Sequence, residues 1–285
     1  MERKKGEHLK ISKKIYLVGA GPGNPDYLTV RALKLIKKCD VLLYDRLVDR
    51  SIVKLSPASC KRICVGTKHG VEPGSKQDRI NELMLQYFKV GKIIIRLKSG
   101  DPFIFGRGGE EIEFLKKNNV PFEVVPGLTS AISVPSALGI PLTHRNYSSS
   151  LLIISGHRKS TGTENDWNEI SRFDGTIVIL MGVATASEIV SHLIEGGMDQ
   201  LMGVAVIENG TTRRERTFFC YLRELPSVIE KHRIRSPSII VIGKVVNALI
   251  DEGILPSRNL SRATGDALIE LVEPQVSQEA TTRGR

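Results

Sequence analysis

The chain has 285 residues and a formal net charge of +10, from 41 Lys and Arg against 31 Asp and Glu. Its 41% hydrophobic and 25% charged residues are typical of a globular protein and argue against a disordered chain. Its length predicts two domains. The positive charge favours an acidic partner, either nucleic acid or a polyanionic small molecule, but a surplus that only aids solubility explains it equally well.

The N-terminal 13 residues are predicted to form a basic disordered arm, without the apolar segment of a signal peptide. Residues 124–143 carry no charge and are long enough to span a bilayer, but Pro126, Pro135 and Pro141 argue against a continuous helix. The sequence therefore predicts a cytoplasmic protein with no membrane partner.

The four cysteines, Cys39, Cys60, Cys64 and Cys220, contain no CxxC pair. Cys60 and Cys64 are spaced as Cx3C, and no second cluster completes a zinc site. This pattern predicts buried free thiols in a reducing compartment and no metal.

Apolar runs alternate with amphipathic segments along residues 14–135, which predicts a first α/β domain. Strands are expected at 15–20, 41–44, 62–65, 93–97 and 122–125, and helices at 28–39, around 80–88 and at 110–119. This order implies a parallel sheet with helices on both faces.

A segment rich in Pro, Ser and Gly, 136–150, is predicted to join this domain to a second α/β domain at 151–254. Its expected strands are 151–155, 176–180, 204–207, 217–222 and 238–241, and its expected helices lie near 164–171 and at 184–195. The polar turn 208–216 between two strands favours a mixed sheet. Residues 255–285 lose apolar density and are predicted to be a mobile tail.

The first predicted strand ends in a glycine loop, 19–23, which has three readings. A dinucleotide-binding loop needs a third glycine where Asn24 stands, although Asp45 could supply the ribose-binding acid. Rossmann-like methyltransferases usually carry an acid two residues before the first glycine, where this chain has Leu17. Pro22 stiffens the loop and lacks an N–H for phosphate, so a turn that approaches a neutral or zwitterionic ligand is the third reading.

A second glycine loop, 98–109, follows the strand at 93–97, at the same edge of the sheet as the first. Its Asp101 could accept hydrogen bonds from ribose hydroxyls or an amine. The apolar side chains of Phe103, Ile104 and Phe105 could pack against a base. The alternative is a connecting loop whose glycines only cap a helix.

Six segments occur in a fixed order: VGAGPG at 18–23, YDRLV at 44–48, GDPFIFGRG at 100–108, VPG at 125–127, GIPLTHR at 139–145 and ENGT at 208–211. Together they resemble the uroporphyrinogen-III C-methyltransferases of the tetrapyrrole (precorrin) methylase superfamily, from about residue 13 to residue 250. GDPFIFGRG is the most specific segment, and the ribosomal RNA and diphthine-forming relatives match it less well.

The resemblance implies two α/β domains with a cleft between them, a fold distinct from the common Rossmann-like methyltransferases, and a homodimer. It implies that S-adenosylmethionine donates two methyl groups to uroporphyrinogen III, giving S-adenosylhomocysteine and precorrin-2, which leads to sirohaem and cobalamin. The cofactor contacts that it implies are Pro22, Ser99, Gly100, Asp101, Ile104, Thr129, Ser130, Met181 and Gly210. Met181 has a second reading, as a packing residue that closes a strand.

Asp45 matches the proton acceptor proposed for the family. A carboxylate beside the attacking pyrrole carbon can hold developing positive charge and take the departing proton. The alternative role of Asp45 is to cap a turn at the strand end. The family's proposed proton donor is a lysine in the column where this chain has Thr67, so the adjacent Lys68 is its candidate replacement.

Uroporphyrinogen III carries eight carboxylates, which require charged partners when buried. Arg46, Arg107, His144 and Arg145 lie within the shared segments and are the candidate substrate-binding residues, although each could instead be a surface ion pair or loop anchor.

Three other functions compete with this reading. A related enzyme could methylate a later cobalt-precorrin, and the net charge would suit an RNA-modifying methyltransferase, although aromatic residues form only 5% of the chain and are not interleaved with the basic ones. The first glycine loop with Asp45 could serve an NAD-dependent oxidoreductase. We expect no nucleic-acid partner, and methyltransferase activity alone, because no second NAD-type loop is present.

Overall fold

A computed structural model describes residues 14–66, 73–90, 93–157, 165–251 and 268–271. The chain divides into two compact units, Met1–Ser130 and Ala131–Arg285. The predicted junction at 136–150 therefore lies within the second unit. The predicted arm at 1–13, together with Thr67 and Lys68, lies outside the described residues.

The first unit is a parallel five-stranded sheet, as predicted, in the strand order β3-β2-β4-β1-β5. Its strands are β1 (Ile15–Gly19), β2 (Val41–Tyr44), β3 (Lys61–Cys64), β4 (Ile94–Lys98) and β5 (Phe122–Val125). Its helices are α1 (Val30–Ile36), α2 (Arg50–Val53), α3 (Pro73–Lys89) and α4 (Gly108–Lys117), and a 3-10 turn at Pro25–Tyr27 precedes α1. Thr29 caps α1 by accepting a hydrogen bond from the Ala32 amide, so the helix begins later than predicted.

Separate apolar clusters cover the two faces of this sheet. One packs α1 and α2 on the sheet and includes Leu35 and Ile52, and the other packs α3 and α4 and includes Met84 and Leu115. The connection after β1 runs towards β2, whereas the connection after β4 runs towards β5 on the other side. The adjacent pair β1 and β4 is therefore the topological switch point, and ligands of open α/β sheets bind beyond the strand ends there.

The second unit contains a six-stranded sheet in the order β11-β9-β8-β10-β7-β6. Its strands are β6 (Leu151–Ser155), β7 (Thr176–Leu180), β8 (Gly203–Glu208), β9 (Arg216–Tyr221), β10 (Ser238–Ile242) and β11 (Leu268–Leu271). Helix α5 (Ser130–Ala137) enters this unit, and α6 (Trp167–Ser171), α7 (Ala186–Glu195), α8 (Leu225–Lys231) and α9 (Lys244–Asp251) follow. The pairs β8–β9, β8–β10 and β7–β10 are antiparallel, which confirms the mixed sheet.

Several segments differ from their predicted structure, since α2, α5, α8 and α9 have no predicted counterpart and the C-terminal segment contains a strand. Helix α5 forms where no helix was predicted, with Pro135 inside it and Ala131 and Val134 buried in the core of the second unit. Residues Leu268–Leu271, within the predicted mobile tail, form β11, which pairs in parallel with β9. A four-residue edge strand depends on a partner remote in sequence, which local patterns do not reveal.

Three of the cysteines, Cys39, Cys60 and Cys220, are buried free thiols, but Cys64 is exposed, so the prediction of burial is wrong there. The Sγ atoms of Cys39 and Cys60 lie 3.3 Å apart. Burial raises the pKa of Cys39 and raises the pKa of Cys220 to about 12. None of the described helices has the length and apolar character that crossing a membrane requires.

These environments predict the order in which thiols react. We expect a thiol-specific chromogenic reagent to modify Cys64 first in the folded protein, and all four cysteines only after denaturation. Raising the pH from about 7 to about 9 should leave Cys220 unreactive, because burial keeps its thiol protonated. Cys64→Ser should remove the fast phase. Rapid modification of several thiols in the folded protein would contradict this assignment.

Candidate active site

The two glycine loops are joined at the switch point. Gly21 N donates to Gly100 O at 3.1 Å, and Gly100 N donates to Gly21 O at 2.8 Å. Both residues have left-handed φ angles, +71° and +68°, which glycine adopts without a steric penalty. The loops that follow β1 and β4 are therefore held together by a reciprocal pair of backbone hydrogen bonds.

A third loop, which follows β5, packs against this pair. A Cβ atom on Gly127 would lie 2.3 Å from Gly100 O and 2.7 Å from Gly19 Cα, so these backbones touch without room for a side chain. Asp101 reinforces the contact, because its Oδ2 accepts from Gly127 N at 3.1 Å and its Oδ1 accepts from Phe103 N at 2.9 Å. Asp101, which is predicted to contact the cofactor, therefore connects the second glycine loop to the loop that follows β5.

Gly100 is buried, but there is space for one further atom beside it. A Cβ atom on Gly100 would meet nothing nearer than Ser130 N at 3.8 Å and Thr129 Cα at 3.9 Å. Seven of the predicted cofactor contacts lie on the three loops and the residues that follow them, namely Pro22, Ser99, Gly100, Asp101, Ile104, Thr129 and Ser130. The first unit therefore brings together the backbone and the small side chains that the sequence singled out.

Apolar side chains are exposed in the second glycine loop. Phe103, Ile104 and Phe105 keep 52%, 41% and 44% of their surfaces accessible. The loop shape also excludes side chains at two glycines, since a Cβ on Gly106 or Gly108 would lie 2.6 or 2.4 Å from the Pro102 carbonyl oxygen. Three exposed large apolar residues in a row indicate a surface that binds an apolar partner.

Arg107, a predicted substrate-binding residue, is paired within its own helix turn. Its Nε and Nη2 donate to Glu110 at 2.8 and 2.6 Å, and both side chains are about half exposed. This hydrogen bonding raises the pKa of Arg107 and lowers the pKa of Glu110. The exchange of such an exposed pair for a ligand carboxylate costs little.

Asp45 follows β2 and is partly accessible, with 29% of its side chain exposed. Its Oδ1 accepts from Arg96 Nη2 at 2.6 Å, and its backbone N donates to Leu97 O at 3.1 Å. The nearby helix α2 is capped by a different acid, Asp49, which accepts from the Ser51 amide. The Asp45 side chain thus contacts a cation rather than a turn amide.

Arg96 belongs to a buried charge cluster that the sequence analysis missed. Glu111 Oε1 on α4 accepts from Arg96 Nε at 3.0 Å and from Lys98 Nζ at 2.9 Å, and Gln77 Nε2 lies 3.3 Å away. Arg96 and Lys98 stand at alternate positions of an otherwise apolar strand, and therefore on one face of the sheet. Two cations spaced in this way on a central strand were the signal available in the sequence.

Burial and charge act in opposite directions on the two cations of this cluster. Burial lowers the pKa of Lys98, and the adjacent positive charge of Arg96 lowers it further. Burial also opposes the charged form of Arg96, but the carboxylates of Asp45 and Glu111 outweigh that effect and raise its pKa. Arg96 is therefore the fixed cation of the cluster.

The turn after β2 also contacts the end of β3. A Cβ on Gly66 would lie 2.5 Å from Arg46 N, so this glycine permits the close approach, while the Arg46 side chain itself is exposed. The role of Lys68 remains a prediction, because that residue lies outside the described ranges.

The remaining predicted contacts lie in the second unit. Met181 follows β7 with a φ of +58° and is 47% exposed, so it is not a buried packing residue. Gly210 lies in the β8–β9 turn, where a Cβ would meet Val134 Cγ1 at 2.3 Å. His144 stacks on Tyr147 with ring centroids 4.7 Å apart, and the adjacent Arg145 is exposed.

Comparisons with known proteins agree on one family. The profile of the Tetrapyrrole (Corrin/Porphyrin) Methylases matches residues 14–226. A uroporphyrinogen-III C-methyltransferase from Bacillus subtilis (strain 168) is 43% identical over 235 residues, covering 82% of this chain and 91% of that protein. A siroheme synthase from Pseudomonas putida (strain W619) is 43% identical over 241 residues, covering 85% of this chain and 52% of that protein. The chain thus spans about half the length of the siroheme synthases that it matches.

Solved structures agree with this assignment. The uroporphyrin-III C-methyl transferase from Thermus thermophilus complexed with S-adenyl homocysteine matches with a TM-score of 0.71 at 37% identity, covering 83% of this chain and 94% of that chain. A cobalt precorrin-4 methyltransferase shares the fold, with a TM-score of 0.74 at 24% identity. The chain belongs to the tetrapyrrole (corrin/porphyrin) methylase family.

Proposed function

We propose that the protein is an S-adenosylmethionine-dependent C-methyltransferase that adds two methyl groups to uroporphyrinogen III, giving precorrin-2. The observation that carries this proposal is the reciprocal Gly21–Gly100 hydrogen-bond pair, which joins the two glycine loops on the sheet that also presents Asp45. The name of the Bacillus relative, 43% identical over most of both chains, supports the same reaction. The product leads to sirohaem or cobalamin.

The residues of the three loops suit S-adenosylmethionine. A Cβ atom on Gly100 would meet no atom closer than 3.8 Å, and the exposed Ile104 offers an apolar surface for a base. Ser99 and Ser130 are small and half-buried, so they leave room for a ligand. When bound, the cofactor supplies an electrophilic methyl group on a sulfonium centre.

Asp45 is the proposed proton acceptor. Methyl transfer to a pyrrole carbon leaves positive charge on the macrocycle until a proton departs, and a nearby carboxylate stabilises that charge and takes the proton. Arg96 stays protonated beside it, because the two carboxylates that it contacts raise its pKa. Lys68 is retained as the candidate proton donor.

The basic residues of the shared segments are proposed to bind the substrate carboxylates. Arg46, Arg107, His144 and Arg145 are all exposed, so their charged groups are accessible to a polyanion. We also propose a homodimer, as implied by the family resemblance, and a cytoplasmic location, in which the free thiols stay reduced.

The mass of the tetrapyrrole product tests the reaction. The purified protein is incubated with S-adenosylmethionine and anaerobically prepared uroporphyrinogen III, and addition of two methyl groups is the expected result. A sample without S-adenosylmethionine is the control. Absence of transfer despite S-adenosylhomocysteine binding would contradict the proposed substrate, and cobalt-precorrins and RNA would be tried next.

Replacement of Asp45 tests its role. We expect Asp45→Asn to lower kcat by about 10²-fold or more, because a neutral amide neither takes a proton nor stabilises the charged macrocycle. S-adenosylhomocysteine affinity should not change. The matched control is Asp49→Asn, an acid-to-amide change four residues along that keeps the helix cap. Wild-type kcat in the Asp45 variant would remove this residue from the mechanism.

The packing of the three loops predicts a loss of cofactor binding. In Gly127→Ala the new methyl group would clash with backbone atoms of Gly19 and Gly100. Overpacking of this kind lowers stability by about 1–3 kcal/mol. Because these backbones form the proposed cofactor surface, S-adenosylhomocysteine affinity measured by calorimetry should drop about tenfold. Gly109→Ala is the control, since its Cβ would have no neighbour within 4 Å. Equal affinities in the two variants would contradict the loop assignment.

A further inference from the structure

One buried guanidinium group connects the accessible Asp45 to a fully buried acid. Arg96 is 2% exposed and bonds Asp45 through Nη2 at 2.6 Å and Glu111 through Nε at 3.0 Å. Glu111 is 0% exposed and lies on α4, which packs on the same face of the sheet. A planar guanidinium group can bond two carboxylates at once in this way, because its N–H donors point in fixed directions relative to one another.

Stability alone is a weak explanation for this cluster. Apart from the buried amide of Gln77, its neighbours on the same face include the apolar Ile94, Leu17 and Leu115. Removal of charged groups from water has a large cost, and apolar side chains of similar volume often replace a buried ion pair without loss of stability. A charge cluster that reaches the surface at only one partly exposed carboxylate is better explained by what it does to that carboxylate.

We propose that Arg96 is a positioning residue for Asp45, and that Glu111 fixes the orientation of Arg96. This inference rests on the proposed function of Asp45 as proton acceptor. Within the described part of the chain, Asp45 bonds Arg96 through Oδ1, so we assign Oδ2 to the substrate. When the new carbon–carbon bond forms, the methyl–sulfur bond breaks and its electron pair stays on sulfur. The methylated carbon bears no hydrogen, so the cationic macrocycle loses its proton from an adjacent bridge methylene or ring N–H. The electron pair of that bond neutralises the positive charge, and the proton moves to Oδ2.

Glu111 also contacts the strand end from which the cofactor loop departs. Its Oε1 accepts from Lys98 Nζ at 2.9 Å, and the carbonyl of Lys98 accepts from Ala20 N at 2.8 Å. Lys98 is followed directly by Ser99 and Gly100. The same buried carboxylate therefore orders both Arg96 and the base of the second glycine loop.

A double-mutant cycle tests the positioning role. Arg96→Gln should lower kcat by about 10²-fold, the effect expected of a misplaced reacting group, with KM for uroporphyrinogen III and S-adenosylhomocysteine affinity nearly unchanged. The double variant with Asp45→Asn should be no slower than Asp45→Asn alone, because both changes act through one carboxylate. The proposal would be overturned if the two reductions in kcat multiplied in the double variant, or if Arg96→Gln kept a wild-type kcat.

The control and a conservative variant separate positioning from folding. Arg62→Gln removes an arginine of the same sheet that donates to Ser56 and Pro57, and it should leave kcat unchanged. Arg96→Lys keeps the buried positive charge but lacks the rigid set of guanidinium N–H donors. It should therefore fold with a melting temperature near that of the wild type and still show reduced kcat, even if Arg96→Gln does not fold. A wild-type kcat in Arg96→Lys would contradict the proposal that the guanidinium group positions Asp45.

A crystallographic measurement distinguishes this inference from the proposed function. In a crystal structure of Arg96→Lys, the Asp45 carboxylate is expected to rotate or to adopt several conformers, whereas it stays in one rotamer in the wild type and in Arg62→Gln. This readout needs no turnover, so it holds even if uroporphyrinogen III proves not to be the substrate. An unchanged, single Asp45 rotamer in Arg96→Lys would overturn the inference while leaving the proposed reaction intact.

Discussion

The contact between three loop backbones at the end of one sheet is the constraint on which the candidate site depends. Gly21 and Gly100 exchange hydrogen bonds, and Gly127 packs against Gly19 and the Gly100 carbonyl without space for a methyl group. A side chain at any of the closest positions would force the strand ends apart. The strand order places β1 between β4 and β5, so that the loops following these strands meet.

A second constraint lies beneath this surface, where charge rather than packing sets the geometry. Glu111 is shared by Arg96 and Lys98, and Arg96 extends the cluster to Asp45. The two buried cations and the buried Glu111 carboxylate each lie within hydrogen-bond distance of an opposite charge, and the partly exposed Asp45 carboxylate is the second anion of the cluster. The fold thus supplies a backbone surface suited to a cofactor and an anchored carboxylate from the same five strands.

Local patterns in the sequence were enough to predict the parts of the site that are local in character. The glycine strings at 19–23 and 100–108 follow apolar runs, and the β strands and the mixed second sheet follow from periodicity and turn chemistry. Features that depend on contacts between remote residues were missed. In the sequence, Glu111 looks like an ordinary acid in the first turn of a helix, and its role emerges only when α4 packs over Arg96. Helix α5 was not predicted because it is short and contains Pro135.

The central claim, that the joined glycine loops form the cofactor surface beside an anchored Asp45, is tested most directly by a crystal structure with S-adenosylhomocysteine bound. The account predicts that the ligand contacts the backbone at Pro22, Gly100 and Ile104, while Asp45 Oδ1 keeps its hydrogen bond to Arg96. Ligand density away from these loops, or an Asp45 side chain turned away from Arg96 in the complex, would contradict it.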